Sequence, residues 1–133
     1  MTSPRVLLVC DTNDGMLVRR TILEEAGYVV CTLPLVQAVR GQYGQSTFEI
    51  AVLAVNNVER VSLLVAGLGK LFPLVSIVLV SGFVEHLGLT AESTGVDAVV
   101  EKTASEAANL LRAVKKLLRK PKRQPQPRQL RVA

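Results

Sequence analysis

The sequence predicts a doubly wound α/β domain built on a five-stranded parallel sheet, and three observations carry that prediction. Five short apolar runs recur along the chain without polar alternation, as strands buried on both faces do. Segments with helical spacing or helix start and stop signals lie between them. The 133 residues are 49% hydrophobic but only 4% aromatic, so the core must be aliphatic. A chain of this length buries well over half of its unfolded surface, which suits one domain with a real core.

The first run is VLLVC from Val6. The helix after it lies in MLVRRTILEEAG, where Val18, Ile22 and Ala26 fall four apart and Gly27 is a good terminator. YVVCTL from Tyr28 is the second run, and PLVQAVRGQYGQ reads as a short helix frayed by Gly41 and Gly44. The third run, IAVLAV from Ile50, stops at Asn56 and Asn57. VERVSLLVAGLGKLF reads as a third helix weakened by Gly67 and Gly69. VSIVLV from Val75 is the fourth run, and FVEHLGLTAESTG after it reads as a short fourth helix. DAVV from Asp97 is the fifth. TASEAANLLRAVKKLLRK then opens with a capping box, Thr103 reading to Glu106. Its Ala107, Leu110, Leu111, Val114, Leu117 and Leu118 form an apolar stripe, with basic residues near the negative end of the helix dipole. Pro121, Pro125 and Pro127 end it. The reading is a domain over residues 1–120 and a basic, Pro/Gln-rich, disordered tail over 121–133.

Charge follows that division. The net charge is +5, yet the eight basic residues from Lys115 onward face no acid, and the first 114 residues carry −3. The body is mildly acidic and the basicity belongs to the tail. No apolar run approaches the ~20 residues of a membrane span, and MTSPRVLLVC lacks a secretory cleavage site, so a cytoplasmic location is expected. The two cysteines suggest free thiols rather than a disulfide framework. No glycine-rich phosphate loop follows a strand, so neither a nucleotide nor any other cofactor is expected.

In the flavodoxin-like strand order 2-1-3-4-5, the ligand crevice lies at the carboxyl ends of strands 1 and 3. That places Cys10, Asp11 and Ala54 side by side. With these positions located, residues 5 to 119 resemble a receiver domain, the phosphoacceptor module of two-component response regulators. RVLLVCDTND resembles its first strand and acidic loop, and EEAGYVV its turn into strand 2. FEIAVLAVNN resembles the acceptor strand, IVLVSGF strand 4 with its hydroxyl residue, and TGVDAVVEKTAS the fifth strand with its lysine.

The resemblance implies what should stand in the crevice. A receiver has an acceptor aspartate, two acids that help hold Mg²⁺, and a hydroxyl and a lysine that grip the phosphoryl oxygens. Here the acceptor position matches Ala54, and of the acid pair the first matches Cys10 while the second is Asp11. Ser81 and Lys102 match the hydroxyl and the lysine, and Val99 matches the aromatic switch residue. Thr103 replaces the proline after the lysine, so the usual cis peptide is not expected. No phosphorylation site remains, and metal binding is weak at most, through Asp11.

Alternatives stand beside this reading. Ser81 and Lys102 either bind an anion or, more simply, Lys102 pairs with Asp11. Cys10 is either a redox thiol activated by Lys102 or, more simply, a small buried residue. Cys31 is read as core packing, His86 as no metal ligand, and Asn13 and Asp14 as helix caps. The tail is either a basic arm for nucleic acid or a solvated extension without a specific partner. The expectation is a degenerate receiver: not an enzyme, without a small-molecule ligand, acting in phosphorelay signalling by phosphorylation-independent contact with protein partners. The resemblance points to the face of the fourth and fifth predicted helices (83–95 and 103–120) and the last strand for that contact.

Overall fold

The computed structural model describes residues 3–43, 47–82 and 95–119. Strands β1 (Arg5–Cys10), β2 (Val29–Pro34), β3 (Ile50–Ala54), β4 (Ser76–Ser81) and β5 (Ala98–Glu101) alternate with helices. The helices are α1 (Asn13–Glu25), α2 (Leu35–Val39), α3 (Val58–Leu71) and α4 (Glu106–Arg119). All strand pairs are parallel, in the order β2-β1-β3-β4-β5. The predicted fold and order are those of the structure.

Successive side chains of a strand point to opposite faces, so the sheet divides two cores. Leu7, Val9, Leu53 and Leu79 pack on one side with Val61, Leu64 and Leu68 of α3. Val6, Leu8, Val52 and Val80 face the other way, toward Leu23 of α1 and Leu110, Val114 and Leu117 of α4. Cys10 and Ala54 belong to this second layer and stand opposite each other in the β1–β3 register. Asp97 clamps the start of β5: its backbone N–H donates to Ile77 O at 2.8 Å, and its carboxylate accepts from Ile77 N at 2.7 Å.

Several local expectations are corrected. Cys31 is exposed, as is Val29, because β2 is an edge strand and an apolar run reads the same at an edge as at the centre. In α1 the buried residues are Arg19 and Leu23, while Val18 is 59% exposed. Residues 16, 19 and 23 share the inner face by helical geometry, and the aliphatic stem of Arg19 lets a charged residue occupy it. Thr12, rather than Asn13 or Asp14, caps α1, its hydroxyl accepting from Gly15 N at 3.2 Å. Asp14 instead sits in the first turn, where the helix dipole favours a negative charge.

Helix α3 runs unbroken through Gly67 and Gly69, and its N-cap is Asn57, whose side chain accepts from Arg60 N at 3.1 Å. Helix α2 ends where Gly41 takes a φ of 74°, in the region that favours glycine. The capping box at Thr103 does not form. Thr103 Oγ1 accepts from Ser105 N at 3.2 Å, and the Glu106 carboxylate turns to Arg19. Ala107 is exposed, while Leu110, Val114 and Leu117 bury the stripe. Residues 83–94 of the predicted fourth helix, His86 among them, lie outside the described residues, as do Gly44 and the tail with its boundary at 120. No helix among the described residues is long and apolar enough to cross a membrane.

Candidate functional site

The crevice is built by the turns that follow β1, β3, β4 and β5. Parallel register brings the strand ends level: Cys10 faces Ala54, Ala54 faces Val80, and Ser81 faces Glu101. Asp11 N donates to Ala54 O at 3.3 Å, and Lys102 N to Ser81 O at 3.1 Å, so each ladder extends one residue into its turn. The sequence-predicted positions Cys10, Asp11, Ala54, Ser81 and Lys102 therefore do converge.

At the acceptor position of the resemblance stands Ala54, whose methyl group offers no nucleophile. Ala54 is 0% exposed and Ser81 1% exposed, so the acceptor position lies beneath the crevice floor. Lys102 does not pair with Asp11. Asn56, two residues past β3, stands between them. Its backbone N–H donates to Asp11 Oδ2 at 3.1 Å, and its side-chain Oδ1 accepts from Lys102 Nζ at 3.2 Å. The same oxygen accepts from Gly82 N at 3.3 Å. Sequence reasoning missed this residue. Its signal was a carboxamide just beyond a fully buried strand, where a polar side chain has a crevice and little else to enter.

Arg19 was missed as well, because an arginine in an amphipathic helix reads as surface. It is 8% exposed, and its Nη2 donates to Glu106 Oε1 at 3.0 Å, tying α1 to the start of α4. Its Nε is buried with no hydrogen-bond acceptor. Burial pushes the Cys10 thiol up from its ordinary pKa, against the opposing pull of the neighbouring Arg19. Asp11 raises it further, and Lys102 lowers it only as the smallest influence. A raised thiol pKa is the opposite of the lowered one that activates a cysteine, which speaks for the packing reading of Cys10. Val99, at the predicted switch position, is half-buried against the core on the α3 side and opposes Leu79 of β4.

A divalent cation implied by the fold does not fit these residues. Mg²⁺ requires a near-octahedral set of oxygens. Of the matched positions among the described residues Asp11 supplies the one carboxylate, one of its oxygens is taken by Asn56 N, Cys10 is buried, and Ala54 offers nothing. Among the described residues, no three His, Cys, Asp or Glu side chains are grouped to hold a metal.

The fold is that of the CheY-like receiver domains, and solved structures bear that out. The chain is similar to a CheY-like receiver domain protein from Methanospirillum hungatei JF-1, at 22% identity and TM-score 0.64, over 87% of this chain and 94% of that one. It resembles the chemotaxis response regulator CheY4 of Vibrio cholerae at 18% identity and TM-score 0.68, over 87% and 99%. A third match is a structure of the histidine kinase ThkA in complex with the response regulator TrrA, at 20% identity and TM-score 0.68, over 86% and 98%. No protein-family model and no curated protein sequence matches the chain. At these identities the likeness is one of fold.

Proposed function

We propose that the protein is a degenerate receiver module, a non-enzymatic element of response-regulator signalling that acts through protein contacts without being phosphorylated in its crevice. The observation that carries this reading is Ala54, fully buried at the end of β3 with no nucleophile to offer. What remains of the site, Asn56 joined to Asp11, Gly82 and Lys102, is a set of structural hydrogen bonds. A module of this kind presents a fixed surface to its partners rather than one that switches with phosphate.

Protein partners suit the fold, since a structural neighbour is a response regulator in complex with a histidine kinase. They also suit the surface. Leu17 and Val18, 62% and 59% exposed on α1, offer such partners apolar side chains. The face expected from the resemblance is described here only through β5 and α4, its remainder falling within residues 83–94. A cytoplasmic setting and a tail without a specific nucleic-acid partner belong to the same proposal.

The test is phosphorylation itself. Incubation with acetyl phosphate and Mg²⁺, followed by intact-mass measurement, is expected to leave the wild-type mass unchanged. A stable adduct mapped to Asp11 would show that the acceptor has moved one strand over, and the reading would fall.

A further inference from the structure

We infer that the carboxamide of Asn56 is a built-in ligand. It fills a site whose donors suit a small oxyanion such as inorganic phosphate, and its presence keeps that site closed to ions from solution. The donors are the Lys102 ammonium, 3.2 Å from Asn56 Oδ1, and the Gly82 backbone N–H, 3.3 Å from the same atom. Both are obligatory donors, so the atom between them must be the carbonyl oxygen and not the amide nitrogen. A cation and a backbone N–H aimed at one oxygen form the arrangement that stabilises negative charge on oxygen. Here that oxygen is only partly charged. Two donors saturate its two lone pairs, leaving no vacancy beside it.

The residue is also held from its other end, because its own N–H donates to Asp11 Oδ2 at 3.1 Å. Asn56 is thus tethered within reach of its donors by the chain. A tethered group competes with a free ion at an effective concentration in the millimolar range or far above it. No carboxylate among the described residues pairs with Lys102, so the lysine charge is answered by this carboxamide. Removing the side chain should leave a half-buried ammonium and an N–H pointing at empty space of the size of one anion oxygen.

The inference concerns what fills the crevice and goes beyond the signalling proposal, whose failure would be read as added mass on the wild-type chain. The experiment here is a ¹⁵N NMR titration with inorganic phosphate at constant ionic strength. It compares wild type, Asn56→Ala, and Asn56→Ala with Lys102→Met. Asn56→Ala is expected to show a saturable shift of the Gly82 amide, with affinity at least about tenfold above wild type, and the double variant to lose it. Equal binding by wild type, or no saturation in a folded Asn56→Ala, would overturn the inference. Asn56→Asp approaches the question from the other side by giving the same donors a full charge. Its melting temperature is expected to exceed that of wild type at pH 7 by about 2 °C or more. Lys102 and the Gly82 N–H should lower the folded pKa of the introduced carboxyl against the opposing charge of Asp11, which the residue's own N–H already engages. The gain is therefore present above the ordinary carboxylate range and lost as pH falls through the folded value. A lower melting temperature than wild type at pH 7 would contradict it, even if Asn56→Ala fails to fold.

Discussion

Ala54→Asp supplies the carboxylate that the receiver resemblance leads one to expect at the end of β3, and the structure states what that should cost. Ala54 is fully buried between Cys10 of β1 and Val80 of β4, in the core layer that also holds Leu23 and Leu110. Three added heavy atoms in a packed layer cost about 1–3 kcal/mol from overpacking alone. Ionisation adds to this. Arg19 is already committed to Glu106 and Lys102 to Asn56, so burial should raise the folded pKa of the introduced carboxyl above the ~3.9 of the unfolded chain. The folded protein then holds the proton to higher pH, and stability relative to wild type falls as pH climbs from that value, levelling above the folded pKa. An elevation of about two units corresponds to about 2.7 kcal/mol. Urea unfolding of both proteins at pH 4.5 and 7.5 measures it, the expected destabilisation being larger at pH 7.5 by about 1.8 kcal/mol for a two-unit elevation. A difference that stays flat or narrows with rising pH would refute the reasoning, because it would show a crevice still built to receive a carboxylate.

Two further perturbations probe the groups around it. Arg19→Met should destabilise the domain by about 2 kcal/mol by stranding Glu106, and a double-mutant cycle with Glu106→Gln should give a coupling of about 1 kcal/mol or more; simple additivity would mean that the pair does not tie α1 to α4. Alkylation of the native protein should label Cys31 rapidly and Cys10 only as the sheet opens, as peptide mapping would show. Fast labelling of Cys10 would contradict its buried, protonated state.

Much of the architecture was legible because strands buried on both faces leave a signal that needs no partner to interpret. β1, β3 and β4 are such strands, and their order is that of the flavodoxin-like arrangement expected for five alternating units. Position within the sheet was less legible. Nothing in YVVCTL tells an edge from a centre, so Cys31 was placed inside. In α1 the inner face carries Arg19, whose charge masks the stripe it completes with Leu23. Glu106 had two suitors, a local threonine and a distant arginine, and sequence spacing favours the local one. The crevice divided in the same way. Its positions were readable from the strand ends, but its connections were not, since Asn56 finds its partners 26 to 46 residues away.

Those long separations bear on the kinetics of the domain. The bonds from Asn56 reach turns after three other strands, so each waits for the strands it joins, and the full set forms only when β1, β3, β4 and β5 lie in register. Closing such wide loops costs entropy that the chain must meet first with its apolar strands. Contacts completed so late govern how fast the native state is left more than how fast it is reached. The turns above the sheet thus act as a clasp on an already folded body, and residues there are free to change without slowing the route to the fold.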